Sequence, residues 1–154
     1  MIKKAILQDL AVLNDLNTEV QELHHKLYPK IFKPAASVDA TLYFKDCLER
    51  DVLTILIKYL GEKPAGYLVY QEKNYQETIF SFQRKSLYIH HISVKKEYQS
   101  NGVGKILMQR VVAIAKESNI DCIELDVWTK NQEANTFFKK NGFDSYNEKC
   151  WLHL

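Results

Sequence analysis

Three groups of residues in this 154-residue chain have the types and spacing to do chemistry. The first is the turn Gln99-Ser100-Asn101-Gly102-Val103-Gly104-Lys105, which follows a strand-like run from Leu87 to Val94 and opens an amphipathic helix. A glycine-rich turn there leaves several backbone N–H groups unpaired and pointing one way. The helix dipole adds partial positive charge, so the turn is a cradle for a phosphate or pyrophosphate. The second group lies on the strand itself: Tyr88, His90 and His91. Histidine titrates near neutral pH and suits proton transfer. Alternation puts Tyr88, His90, Ile92 and Val94 on one face and Ile89, His91 and Ser93 on the other. His91 is then expected beneath a helix, although a β-bulge would shift the parity and exchange the two histidines. The third group is Glu124 and Asp126, two apart on a later strand, whose carboxylates share a face and either attract a cation or are hydrogen-bonded at the sheet surface.

These groups need a scaffold, and composition bounds it. A chain of 154 residues suits one domain, 1–154, with one sizeable core. It is 46% hydrophobic and 26% charged with a net charge of +2, an ordinary globular balance that argues against a nucleic-acid partner. No apolar run approaches the ~20 residues that span a bilayer. Met1-Ile2-Lys3-Lys4-Ala5 lacks a signal-peptide core before Gln8-Asp9 turns polar. Cys47, Cys122 and Cys150 are far apart and show no metal-ligand spacing, so neither a metal site nor a disulfide framework is expected. A reduced cytoplasm is the expected home.

Hydrophobic periodicity supplies the elements. Residues 2–6 read as a first strand. Leu10, Leu13, Leu16, Val20, Leu23 and Leu27 mark a long amphipathic helix with Asp9 as its cap. Tyr28-Pro29 breaks that pattern, and Lys30 to Ala36 should be a loop. A second helix is expected from about Val38 to Arg50, capped by Ser37. Leu53 to Tyr59 and Ala65 to Tyr70 form an antiparallel hairpin about Gly61-Glu62-Lys63-Pro64. Thr78 to Gln83 is a short strand or part of a looser excursion. Leu87 to Val94, a helix from Gly102 to Ser118 and Cys122 to Trp128 make a βαβ crossover, so its two strands should be parallel. A short helix from Gln132 to Asn141 ends at Gly142. Phe143 to Tyr146 and Cys150 to Leu154 supply one or two last strands. The expected fold is α/β, a mixed twisted sheet of about six to seven strands with helices on both faces.

The second half now resembles the GNAT-type N-acetyltransferase superfamily. Ile92-Ser93-Val94 ends a strand, five residues later comes the Q-x-x-G-x-G turn from Gln99 to Gly104, and Ile123 to Val127 leads into Asn131-Gln132-Glu133-Ala134. Phe137-Phe138-Lys139-Lys140-Asn141-Gly142-Phe143 closes the series, and residues 86–145 carry the match. Other phosphate turns fit less well. The Walker pattern G-x-x-x-x-G-K-[ST] is absent. A dinucleotide fingerprint wants a third glycine at position 107, which is leucine.

The resemblance implies acetyl-CoA as acyl donor, no metal, and an amine acceptor that attacks the thioester directly. Its pyrophosphate would lie on backbone N–H groups of Asn101, Gly102, Val103, Gly104 and Lys105, with a contribution from the Gln99 side chain. Glycines at 102 and 104 would let the phosphate approach. The pantetheine arm would pair with the backbone of Ile92 and Val94, and Asn131 would touch it, unless Asn131 is only a helix cap. A backbone N–H near Ile92 or Ser93 would steady the oxyanion. An alkylamine of pKa about 10.4 loses its proton at pH 7 at a cost of roughly 4–5 kcal/mol. His90 is favoured as the base, with Tyr88 beside it. The family commonly has a tyrosine where this chain has Phe138, which has no proton to give. Tyr146 is then an alternative acid, or the thiolate leaves unaided. Tyr28, Phe32, Tyr43 and Trp128 are candidate pocket walls, and Tyr28-Pro29-Lys30-Ile31-Phe32 is the expected substrate-facing loop. His24 or His25 faces the cleft or solvent. Dimers are frequent in the family, which leaves a homodimer open alongside a monomer. The competing reading is a non-catalytic acyl-CoA-binding or sensing module.

Overall fold

Strand alternation and helical spacing partition the apolar residues between two cores, one on each face of a single sheet. The computed structural model describes residues 1–50, 52–152 and 154. The sheet runs in the order β1 (Ile2–Lys4), β2 (Thr54–Leu60), β3 (Lys63–Tyr75), β4 (Arg84–Val94) and β5 (Ile123–Leu125). The first four pair antiparallel, and β5 pairs parallel to β4 through the crossover helix α3 (Val103–Glu117). Helices α1 (Leu10–Leu27) and α2 (Thr41–Glu49) cover one face, and α4 (Gln132–Lys140) follows β5.

Period-two alternation explains the division. Ile55, Ile57, Tyr67 and Val69 point at Leu13 and Leu16 of α1 and Phe44 of α2. Their strand neighbours Leu56, Leu68 and Tyr70, with Leu87 and Ile89 of β4, point at Val103, Leu107 and Val111 of α3. Fully burying one such aliphatic side chain contributes about 1.5–3 kcal/mol.

The structure departs from the sequence expectations mainly at element ends. Five strands form among the described residues, not six to seven. Phe143–Tyr146 and Cys150–Leu154 carry no strand pairing in their described part, and His153 lies outside the described residues. The polar run after Gly142 is held by a side chain instead: Tyr146 Oη donates to Glu124 at 3.0 Å. Of the two alternatives for Thr78–Gln83 the looser excursion holds: it forms a turn, in which the Thr78 hydroxyl accepts from the N–H groups of Phe80 and Ser81. Asp9 does not cap α1 with its side chain; it accepts from the N–H of Ile6 at 2.9 Å and pairs with Lys3 at 2.7 Å. Helix α2 starts three residues late, after a single 3-10 turn at Ala35–Ser37, and Asp39 rather than Ser37 accepts from its first N–H.

β3 and β4 meet tightly at Gly66, where an added Cβ would lie 2.6 Å from the carbonyl oxygen of Ser93 and 3.2 Å from Cα of Val94. Both neighbours are backbone and cannot swing aside. Gly66→Ala is expected to cost about 2–3 kcal/mol, read as a lower urea midpoint at unchanged slope.

Candidate functional site

The site begins with one extra residue. Val69 of β3 lies opposite His91, but the next residue, Tyr70, lies opposite Ile89. His90 therefore has no partner, and β4 carries a bulge there. Bulges bend a strand and increase its local twist. Pairing with β5 ends at the same place: Leu87, Tyr88 and Ile89 match Ile123, Glu124 and Leu125, and no further pair forms among the described residues. Beyond Ile89 the β5-facing edge of β4 has no strand beside it.

The bulge also resets the faces. Leu87 and Ile89 pack toward α3, and past the bulge so do Ile92 and Val94. Tyr88 sits opposite Gln71 of β3, on the same face as Val69, and shares that side with His91 and Ser93. The expected grouping of Tyr88 with Ile92 and Val94 is thereby corrected. His91 does lie beneath helices: its ring stacks on Tyr43 of α2, with centroids 5.4 Å apart. His90 is exposed, with Nε2 3.0 Å from Oε1 of Gln71.

A cavity of about 260 Å³ opens where β4 and β5 part. Asn17, Val20, Gln21 and His24 of α1 line one side, with Phe32 from the following loop. Ile89 to Ile92 of β4 and Leu125 to Trp128 face each other across it. Asn131, Ala134 and Phe138 close the α4 end. Tyr67 forms part of the floor; its hydroxyl donates to Oδ1 of Asn17 at 2.9 Å and lies 3.3 Å from Nδ1 of His91. With that proton given to Asn17, the Tyr67 oxygen accepts from Nδ1–H of His91, and Nε2 carries the ring's lone pair.

The glycine turn follows the C-terminal end of β4. Its lead-in is tied to α1, since the N–H of Lys96 donates to Glu19 at 2.7 Å and Lys95 pairs with Asp15 at 2.6 Å. Gly102 holds the left-handed φ of +75° as the residue before α3, and no side chain caps that helix. The first-turn N–H groups, which no helix can satisfy internally, thus have no side-chain acceptor. An anionic group fits this end of α3. Ser100 also has a positive φ, of 64°. The two glycines differ in role. An added Cβ at Gly102 would meet nothing within 4 Å, but one at Gly104 would lie 3.2 Å from the Phe137 ring. Gly104 makes room for the Phe137 ring of α4. Lys105 is exposed and Val103 is buried in the core. Asn101 is exposed on the turn.

Other sequence candidates fall on and off the cavity. Gln99 Nε2 points back to the carbonyl of Val94 at 3.4 Å. Asn131 lines the cavity and also caps α4, accepting from the N–H of Ala134 at 3.1 Å. Phe138 is buried against Phe137 and Phe143. Ser93 is buried near the carbonyl of Leu16. Tyr146 is not among the cavity's lining residues. Tyr88 donates to Asp126 at 2.6 Å, and burial together with that bond raises its pKa. Glu124 is 5% exposed and accepts from Tyr75, Arg84, Ser86 and Tyr146. Burial alone would raise its pKa, but these four donors outweigh it and hold the group at about 2. Of the paired carboxylates only Asp126 reaches the cavity. Asn17 and Tyr67 escaped the sequence reading. Their signal was a polar residue inside the α1 leucine stripe and a tyrosine at an inward position of an apolar strand. Among the described residues no cluster of three or more His, Cys, Asp or Glu is placed to hold a metal, and no helix is long and apolar enough to cross a membrane.

Comparison with known proteins adds the following. The family model described as Acetyltransferase (GNAT) family matches residues 17–143. An uncharacterised N-acetyltransferase of Methanocaldococcus jannaschii is 28% identical over 116 residues, 75% of this chain and 50% of that protein. The chain thus spans about half the length of that curated relative. A tetramutant protein of Bacillus halodurans superposes with a TM-score of 0.95 at 26% identity, covering 100% of this chain and 99% of the other. A Clostridium acetobutylicum protein, described as a predicted acetyltransferase and solved with acetyl-CoA, gives a TM-score of 0.70 at 22% identity, covering 100% and 94%.

His91 offers a direct test of the cavity floor. Burial, then the neighbouring His90 and His24, lowers its pKa to about 4, against about 6.5 for a free histidine. The unfolded chain takes up this proton before the folded one does. The stabilisation is complete above pH 6.5 and declines as pH falls toward 4, by up to about 3 kcal/mol. Urea titrations at pH 7 and pH 4.5 should show a smaller acid loss in His91→Gln than in the parent.

Proposed function

The chain belongs to the GNAT acetyltransferase family, and from that premise we propose that it moves an acetyl group from acetyl-CoA to a primary amine by direct attack. One observation carries the reading: β4 bears the His90 bulge where its pairing with β5 ends and the cavity opens, and a few residues past its C-terminal end lies the uncapped N-terminus of α3. A diphosphate and an acylated arm need those two features on one strand. The donor is named from family membership and from the acetyl-CoA carried by a protein of the same fold.

Acetyl-CoA supplies the thioester, a carbonyl already activated by its sulfur. The chain's residues do the rest. First-turn N–H groups of α3, from Val103 onward, hold the diphosphate with the helix dipole behind them. The unpaired edge of β4 at Ile92 and Val94 offers backbone partners to the arm. A free N–H near Ile92 or Ser93 lies where negative charge develops on the carbonyl oxygen. His90 takes the amine proton. It is exposed at the bulge, so the proton can pass to solvent, while partial loss of hydration and the nearby Lys73 charge lower its pKa. His91, neutral and braced by Tyr67, presents its lone pair to the amine and orients it. Phe138 gives no proton, and the thiolate leaves without one from this position. A coenzyme-binding module without turnover is the second reading, favoured by that same phenylalanine.

Calorimetry with acetyl-CoA tests binding, and thiol release across an amine panel tests transfer. Gly102→Val faces no steric contact but a strained φ; acetyl-CoA affinity should drop at least ~10-fold with the circular dichroism spectrum unchanged, since the helix N-terminus loses its geometry. His90→Ala should lower kcat by about 10²-fold, the low end of general-base effects, with acetyl-CoA affinity kept. The acid limb of the parent's pH–rate profile, below 6.5 because the His90 pKa is lowered, should disappear in that variant.

A further inference from the structure

The walls of the cavity narrow the acceptor. Two aromatic rings form a corner where its α1 side meets the segment after β5: Phe32 and Trp128 meet edge to face, with centroids 4.9 Å apart and planes at 81°. His24 stacks on Phe32 from α1 at 4.8 Å and 29°. Val20, Leu125 and Val127 continue the apolar lining. An aromatic corner of this kind presents ring faces and edges to a flat guest.

The corner is preformed. Three α1 side chains clamp the loop that carries Phe32. His25 Nδ1–H donates to the Phe32 carbonyl at 2.7 Å, Gln21 Nε2 donates to the Lys33 carbonyl at 2.7 Å, and Glu22 accepts from the N–H of Ala35 at 3.2 Å. On the other wall the Trp128 carbonyl accepts from the N–H of Asn131 at 2.9 Å and from Asn135 Nδ2 at 3.1 Å. Holding rings in place before the guest arrives removes an ordering cost from binding.

Charge is sparse. Asp126 is the one carboxylate among the lining residues, and it already accepts from Tyr88. Glu124 is saturated by its four donors. The Lys73 ammonium sits 3.4 Å from the Tyr88 ring centroid, and that of Lys130 sits 5.0 Å from Tyr28, so the approaches carry positive charge as well. One anionic anchor flanked by cations suits one ammonium and disfavours a chain of them. The volume, about 260 Å³, must also admit the acyl end of the donor, which leaves room for a small molecule.

We infer that the acceptor is a small primary monoamine on an aromatic or flat apolar body, seated against Phe32 and Trp128 with its nitrogen toward the β4 bulge. The inference rests on the acetyl-transfer reading above. The experiment compares 2-phenylethylamine and tryptamine with spermidine and kanamycin, by thiol release, in the parent, Phe32→Ala and Phe32→Leu; acetyl-CoA affinity is measured in parallel by calorimetry. The aromatic amines are expected to exceed the polyamine and the aminoglycoside at least tenfold in kcat/KM. Phe32→Ala should erase most of that ratio, Phe32→Leu should retain part of it, and both should bind acetyl-CoA as the parent does. Equal or higher kcat/KM for spermidine or kanamycin overturns the inference, as does a ratio that neither variant moves. Acetyl-CoA binding without turnover of any of the four amines overturns it too. Loss of acetyl-CoA binding in the parent is a different failure: it removes the transfer reading, and the inference with it.

Discussion

One surplus residue in β4 sets the geometry of this molecule. A regular strand would keep its hydrogen-bond ladder with β5 and its alternation of faces to the end. With His90 inserted opposite no partner, β4 bends, the parallel ladder stops after three pairs, and the two strands part. The bend turns a sheet edge inward, so backbone groups that would be a liability at an outer edge line a cleft instead. It also delivers both Ile92 and Val94 to the α3 core while His91 goes to the α1 side, so the packing on both faces fixes the bulge in register.

Opposing this opening is Glu124, which pins the same strands together one pair below. Four donors from β3, β4 and the C-terminal segment converge on a carboxylate that is almost fully buried. Removing charge from water is expensive, and only a full set of hydrogen bonds offsets it. The ladder is therefore firm where Tyr88 meets Glu124 and absent a residue or two later. A firm hinge next to an opening is what a preorganised cleft requires, because groups aimed at a developing charge must not reorganise when it forms.

Much of this was legible in the chain. The βαβ order, the long α1 and the glycine turn followed from period and turn chemistry, signals that act over a few residues. The bulge was readable only as a contingency, since His90 and His91 are equally at home on either face and the choice depends on β3. Glu124 was ambiguous for a related reason: its partners Tyr75, Arg84 and Tyr146 lie far away in sequence. That Gly104 also packs against the Phe137 ring was not legible, because that ring arrives from α4 and no local rule announces it. The last strands were overcalled from alternation alone; with β5 only three residues long, the segment after Gly142 has little ladder to join.

The Tyr28 hydroxyl, at the end of α1, accepts from the N–H of Lys130 at 3.0 Å and lies 3.1 Å from the hydroxyl of Thr129. That joint spans about two thirds of the polypeptide. A chain emerging from the ribosome can close its hairpin and its crossover helix early, but this wall of the cleft has no counterpart until the region around residue 130 is out. Completion of the pocket is thus a late event in biosynthesis, and the apolar rings of the first helix and its loop stay open to water, and to chaperones, through most of translation.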